Sequence, residues 1–293
     1  MTDALSQYSV LALYSAMALY AIAFVLFTLD LARGAGDEGA PVGEAKTVAI
    51  AQPKRKLARI ALALTVLGWL LQLTATVMRG LAASRVPWAN MYVFLLVNLK
   101  WDMKFLGSFV TGLVLLLLGL AATRYYVEIV PLPPALQSYW LVIHVFVATL
   151  ATGFFALGFA LSLMQLLQTR REASAAAGAK SKLAFLTRLP DAAQLENYAY
   201  RLIIIGFVLW TFTLIAGAIW AEKAWGRYWG WDTKEVWTFI IWTIYAGYIH
   251  ARSTRGWRGT RSAWLAMVGF AAVMFNFTVV NIFFKGLHAY SGL

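Results

Sequence analysis

Three histidines and a dense run of tryptophans are the residues of this chain best suited to chemistry. The stretch Trp220–Trp237 reads WAEKAWGRYWGWDTKEVW and holds Trp220, Trp225, Trp229, Trp231 and Trp237, interleaved with Gly226, Gly230, Asp232 and Lys234. Indole faces stack on flat π-systems, and glycines let the backbone approach such a ring closely. The plainer reading is an interfacial aromatic belt, which one or two tryptophans per helix end would satisfy. So dense a run reads instead as a platform for a flat aromatic ligand.

The histidines point to which ligand. His144 and His288 sit near the ends of apolar segments on the side of the tryptophan run, and His250 lies near the opposite side. Neutral imidazoles are the usual axial ligands of haem iron, and one from each side would sandwich the ring. Zinc fits less well, because the chain has no cysteine and few carboxylates on that side. The lack of cysteine also excludes disulfides, a thiol nucleophile and a Cys-x-x-Cys redox centre.

These residues must be positioned by membrane helices. Hydrophobic residues make up 61% of the chain and charged ones only 13%, more apolar surface than a soluble domain can bury. Crossing the hydrocarbon core takes about 20 apolar residues in a helix. Apolar segments fall at 9–31, 58–79, 88–104, 107–124, 139–166, 200–220, 237–251 and 262–284. In segment 88–104 the apolar part covers roughly 18 Å of helix, short for a bilayer. No alternating strands of a barrel are seen. The first segment lacks a basic leader and a cleavage site, so it reads as a retained anchor.

The formal charge of +12 lies mostly in the connections between segments, which reads as orientation signals and not as a nucleic-acid surface. Of the 25 Lys and Arg residues, about 18 fall in 32–59, 100–104, 167–201 and 252–261. Placing those connections in the cytoplasm puts both termini outside and requires an even number of crossings. The expectation is an all-α polytopic transmembrane bundle of eight spans, forming one haem-handling domain over 1–293 with an external tryptophan-rich loop at 220–237. Connections 32–57 and 170–182 read as flexible cytoplasmic loops. A short amphipathic helix near Asp191–Arg201 is expected on the inner surface.

Five stretches together resemble the cytochrome c biogenesis haem-handling proteins of the CcsA/ResC type, named CcsB in some bacteria, a system II family with a tryptophan-rich WWD domain. They are WANMY at 88–92, LQSYWLVIHV at 136–145, WGRYWGWD at 225–232, YIHAR at 248–252 and GLHAY at 286–290. The match runs in order from about residue 58 to 290, and its Trp-Gly-x-x-Trp-x-Trp-Asp element is highly specific. The resemblance implies that His144 and His288 hold haem b at the outer face, and that His250 contributes to an earlier haem site within the membrane. It further implies covalent attachment of that haem to the Cys-x-x-Cys-His motif of an apocytochrome c, whose own thiols do the bonding. In the family a second axial histidine of the inner site comes from a CcsB/ResB-type membrane subunit. This chain has no histidine before His144, so the resemblance implies such a partner in the same cell membrane.

Other polar residues have narrower readings. Lys223, Arg227, Lys234, Arg79, Arg85 and Arg124 could meet haem propionates or lipid phosphates. Glu222 and Glu235 read as solvated carboxylates beside lysines, with a general-base role as the alternative. Asn90, Asn276 and Asn281 read as interhelical hydrogen-bond formers. Competing functions are a haem exporter or chaperone that forms no thioether, a b-type electron carrier, and a small-molecule transporter. Paired histidines inside facing helices would favour the carrier, and inverted repeats the transporter; neither is found.

Overall fold

The computed structural model describes residues 2–33, 56–82, 107–124, 136–178, 186–187, 189–254, 257–284 and 286–288. Among these, the regular secondary structure is entirely helical. The chain divides into two compact units, one formed by 1–126 with 174–190 and the other by 127–173 with 191–293.

The first unit contains α1 (Thr2–Arg33), α2 (Lys56–Ala82) and α3 (Gly107–Arg124). Small residues let α1 and α2 meet closely: Ala16, Ala23, Ala58 and Ala61 are buried between them. Tyr20, wholly buried, packs on Gly68 and donates its hydroxyl to Gln72 Oε1 at 2.8 Å. That bond satisfies a polar tip that lipid or an apolar core would leave unpaired.

The second unit contains α4 (Tyr139–Ala176), α5 (Ala192–Trp225), α6 (Thr233–Ser253) and α7 (Thr260–Phe275). A π-helical turn, Asn276–Val280, continues α7 into a last short turn, α8 (Asn281–Phe283). Phe155 of α4 stacks on Tyr245 of α6, ring centroids 3.8 Å apart and nearly parallel. Gly269 of α7 admits the Tyr245 ring, for a Cβ there would lie 2.8 Å from it. Two indoles tie α5 to α6: Trp210 donates to the Thr238 carbonyl and Trp242 to the Thr211 hydroxyl.

Far from the tryptophan loop, the second unit is closed by buried polar groups. Glu196 of α5 pairs with Arg252 of α6 and accepts from Gly259 N–H and the Ser262 hydroxyl before and within α7. Arg252 also donates to Asn197 and lies 5.0 Å over the Tyr200 ring. Gln165 of α4 donates to the Gly259 carbonyl, joining the fourth helix to the knot.

Five of the described helices are long and apolar enough to cross a membrane: Gln7–Leu31, Lys56–Met78, Tyr139–Ala176, Ala192–Trp225 and Thr260–Phe283. The molecule is thus a multi-pass membrane protein. The other three of the eight expected crossings do not reach that standard among the described residues. Segment 88–104 lies outside them, α3 contributes only the short apolar stretch Gly107–Leu116, and α6 carries Lys234, Glu235 and Arg252.

Three local expectations are corrected. Residues 170–176, expected in a loop, continue α4 as helix. The segment near Asp191–Arg201 is no separate surface helix, because α5 runs unbroken from Ala192 and is capped by Asp191, which accepts from Gln194 N–H at 2.7 Å. Nothing between 192 and 225 breaks a helix, and the Arg252 pair gives buried Glu196 its partner. The loop is also shorter than 220–237. α5 continues to Trp225, and Gly226, with φ of 70°, ends it in the left-handed conformation that glycine tolerates.

Candidate functional site

The short turn between α5 and α6 is organised by one carboxylate. Glu235, in the first turn of α6 and 7% exposed, reaches back to accept from Gly230 N–H at 2.8 Å and Asp232 N–H at 3.0 Å. This is the reach expected of an acidic residue three positions into a helix. Arg227 lies 3.7 Å from Glu235 and 6.0 Å from the centre of the Trp225 ring. Glu235 is therefore not the solvated carboxylate the sequence suggested. Glu222 does fit that description, paired with exposed Lys223 at 3.2 Å.

The turn delivers Asp232 to His288. Asp232 Oδ2 lies 2.7 Å from His288 Nδ1. Gly286 makes this approach possible, since a Cβ at that position would collide with the Asp232 carboxylate. Burial draws the His288 imidazole below its ordinary pKa, and the Asp232 hydrogen bond and charge oppose that shift. Burial thus favours the neutral imidazole, the form that binds a metal.

His144 is held differently. Its Nδ1 lies 3.0 Å from the Thr213 carbonyl of α5. One turn on, a Cβ at Gly217 would lie 2.8 Å from the His144 ring. One turn further, Trp220 stacks on that ring, with centroids 5.9 Å apart and planes 17° apart. Thr213, Gly217 and Trp220 follow helical spacing, so a single face of α5 receives the imidazole.

Trp220 also meets the second histidine. It is 2% exposed and lies edge-on to His288 at 5.6 Å and to Trp225 at 4.7 Å. Trp225 in turn contacts His288 at 4.9 Å. Both imidazoles thus touch one buried indole, each with Nδ1 engaged. A hydrogen bond at the distal nitrogen fixes tautomer and ring orientation, as in metal-binding histidines generally.

The five tryptophans do not form one platform. Trp220 and Trp225 join the histidines, whereas Trp229 and Trp231 pair edge to face at 5.9 Å on the turn. Trp231 is 74% exposed with φ of 59°, a left-handed conformation uncommon outside glycine. Trp237 packs on Phe275 at 4.3 Å against the core of the unit. His250 is exposed near the far end of α6, about sixteen residues or roughly 24 Å along the helix from Lys234. It takes no part in this cluster.

Lys234 anchors the turn to the last membrane helix. Its Nζ donates to the Asn276 carbonyl at 2.9 Å and to Asn281 Oδ1. Asn281 thus makes the interhelical bond expected of it. The WANMY motif and Arg85 lie outside the described residues, as do the side chains of Arg79 and Arg124. Sequence reasoning missed Thr213, Gly217, Glu235 as loop organiser and Gly286. Only Glu235 carried a local signal, its three-residue spacing from Asp232.

Residues 81–288 match the family described as cytochrome C assembly protein. The cytochrome c biogenesis protein CcsA of Parasynechococcus marenigrum is 35% identical over 224 residues, covering 70% of this chain and 73% of the relative. The CcsA of Trieres chinensis is 34% identical over 233 residues, covering 71% and 75%. That of Synechococcus elongatus is 35% identical over 264 residues, covering 72% and 81%. The match spans most of the chain and includes both histidines, Trp220, Trp225 and Asp232, and the chain belongs to the cytochrome c assembly protein family.

Proposed function

We propose that this chain receives haem b in the membrane and presents it at the tryptophan-loop end for covalent attachment to apocytochrome c. The observation that carries this reading is the pair of imidazoles, His144 and His288, each tied at Nδ1 and both touching buried Trp220. In the proposed role their Nε2 atoms hold the iron, while Trp225 and the turn 226–232 border the ring. The name shared by the relatives, cytochrome c biogenesis protein, supports the same reading.

The work of the chain is positioning. The attachment needs no oxidant: each substrate thiol adds across a haem vinyl group, forming a C–S bond while its hydrogen passes to the other vinyl carbon. The thiols come with the Cys-x-x-Cys-His segment of the apocytochrome, which is why a chain without cysteine suffices. The distribution of basic residues supports eight crossings, both termini outside, and the loop on the outer face of the cell membrane. His250 serves a second, inner haem site, whose other ligand comes from a CcsB/ResB-type subunit. In this reading the whole of 1–293 acts as one haem-handling domain embedded in lipid.

The test is co-expression with the partner subunit and an apocytochrome c in a host lacking its own maturation genes. Covalent haem, read by peroxidase staining, should fall at least tenfold in His144→Ala and in His288→Ala. His250→Ala should lower the haem found at the outer site. Bound haem that is never joined to the apocytochrome would leave a chaperone, and full covalent haem in both outer variants would overturn the clamp.

A further inference from the structure

Lys234 is a cation in an unfavourable place. It is the second residue of α6, where the positive end of the helix dipole disfavours an ammonium, and it is partly buried. Burial draws its pKa down to about 8, against the pull of the Asp232 carboxylate. Its bonds offset both costs. The π turn Asn276–Val280 interrupts the regular backbone ladder of the last helix. Asn281 N–H meets the Thr278 carbonyl, and the Phe277 carbonyl accepts from the Asn281 side-chain amide at 2.7 Å. The Asn276 carbonyl accepts from Lys234 Nζ at 2.9 Å, and Asn281 Oδ1 accepts from the same ammonium. One side chain thus grips the residue that opens the turn and the residue that follows it. An ammonium engaged in this way within the protein suits a haem propionate or a lipid phosphate poorly.

We propose that Lys234 is a positioning residue for His288: it fastens the end of the last helix to the first turn of α6, and so fixes the root of the short arm that carries the imidazole. The tip of that arm is held from the same turn, because Asp232 lies two residues before Lys234 and 2.7 Å from His288 Nδ1. Glu235 in turn fixes Asp232 through its backbone N–H. One helical turn therefore references both ends of the arm. A ring held at its tip alone swings about that single bond, whereas a binding group must stay within about 0.5 Å and 10–20° of its productive geometry. Bonds from an ammonium are roughly twice as strong as neutral ones, which suits a cation to this task. The purpose of the placement rests on the haem-clamp reading; the placement itself rests on the bonds of Lys234.

The test has one arm without haem and one with it, both on the full chain. Since the chain has no cysteine, Ser253→Cys at the far end of α6 and Leu287→Cys beside His288 accept a pair of spin labels. Their distance distribution should be narrow in the parent, and wider with a displaced centre in Lys234→Met, which keeps the stem and loses the ammonium. Asn281→Leu removes one of the two grips and should move the distribution the same way by less, so it carries the test if Lys234→Met accumulates poorly. An unchanged distribution in the variants, or a broad one already in the parent, would overturn the proposal. In the haem-loaded chain, Lys234→Met should weaken haem binding about tenfold, the lower end of what partners outside the ligand set contribute. Its low-spin spectrum should turn high-spin and recover with added imidazole. The double variant Lys234→Met/His288→Ala should bind haem no worse than His288→Ala alone, and additive losses would show that Lys234 acts elsewhere. Absence of haem from the parent would bring down the clamp reading and leave the placement of the arm to the spin-label distances.

Discussion

Gly217 shows how little room the His144 position has. A methyl group there would lie 2.8 Å from Cε1 and 2.9 Å from Nδ1 of the imidazole. Gly217→Ala should therefore push the ring off the Thr213 carbonyl. Alanine is a better helix former than glycine by about 1 kcal/mol, so the helix itself gains. We expect protein abundance within twofold of the parent and haem content reduced about tenfold, since small misplacements at a reacting centre cost up to ~10²-fold. Haem absorbance per chain checks this, and unchanged content would show that the ring has space to spare. His144, His288, Trp225 and Asp232 were legible because residue type and the family motif both mark them, and Trp220 because it opens the tryptophan run. Gly217 and Thr213 were not. The His144–Thr213 bond joins residues 69 positions apart, and no local pattern announces such a meeting.

At the scale of elements, helix existence was legible and helix extent was not. Apolar runs mark where a helix enters the membrane but say nothing of charged residues that continue it, as Arg170–Ala176 do in α4. α5 likewise starts well before its apolar run, because Asp191 caps it and Arg252 partners Glu196. That ion pair is nearly sealed, with side chains 7% and 8% exposed. Removing one partner strands the other charge, which typically costs about 3–5 kcal/mol, whereas replacing both with apolar groups is often close to neutral. Arg252→Ala should lower the thermal midpoint of the detergent-solubilised chain markedly. The double variant Glu196→Leu/Arg252→Met should recover at least half of the loss. A double variant no better than the single one would show that hydrogen bonds to Gly259 and Ser262, and not the charge pair, hold this end.

For the whole molecule, composition alone was enough to establish a multi-pass membrane protein. Among the described residues five helices are long and apolar enough to cross, and α6 is not one of them, since Lys and Glu at its head reduce its apolarity. The chain has three histidines, and two of them meet at the tryptophan end. If His250 needs a ligand from a partner subunit, haem stoichiometry will report it. The chain alone should bind one haem per molecule, the complex with a CcsB/ResB-type subunit two, and the His144→Ala/His288→Ala complex one. Haem quantified as its pyridine adduct against protein concentration checks this. Two haems on the isolated chain would dispense with the partner's ligand.

The π-helical turn at Asn276–Val280 has a consequence for how the last helix is read. An α-helix advances about 100° per residue, and a π-turn accommodates roughly one extra residue without lengthening the rod by a full step. Its five residues turn and rise about as far as four would in an α-helix, so the helix beyond keeps its azimuth while the sequence runs one residue ahead of the α pattern. Losing a single residue within the turn should therefore restore a continuous α-helix and leave Asn281–Phe283 where they stand. Losing one after the helix would instead shorten the tether that carries His288 to Asp232.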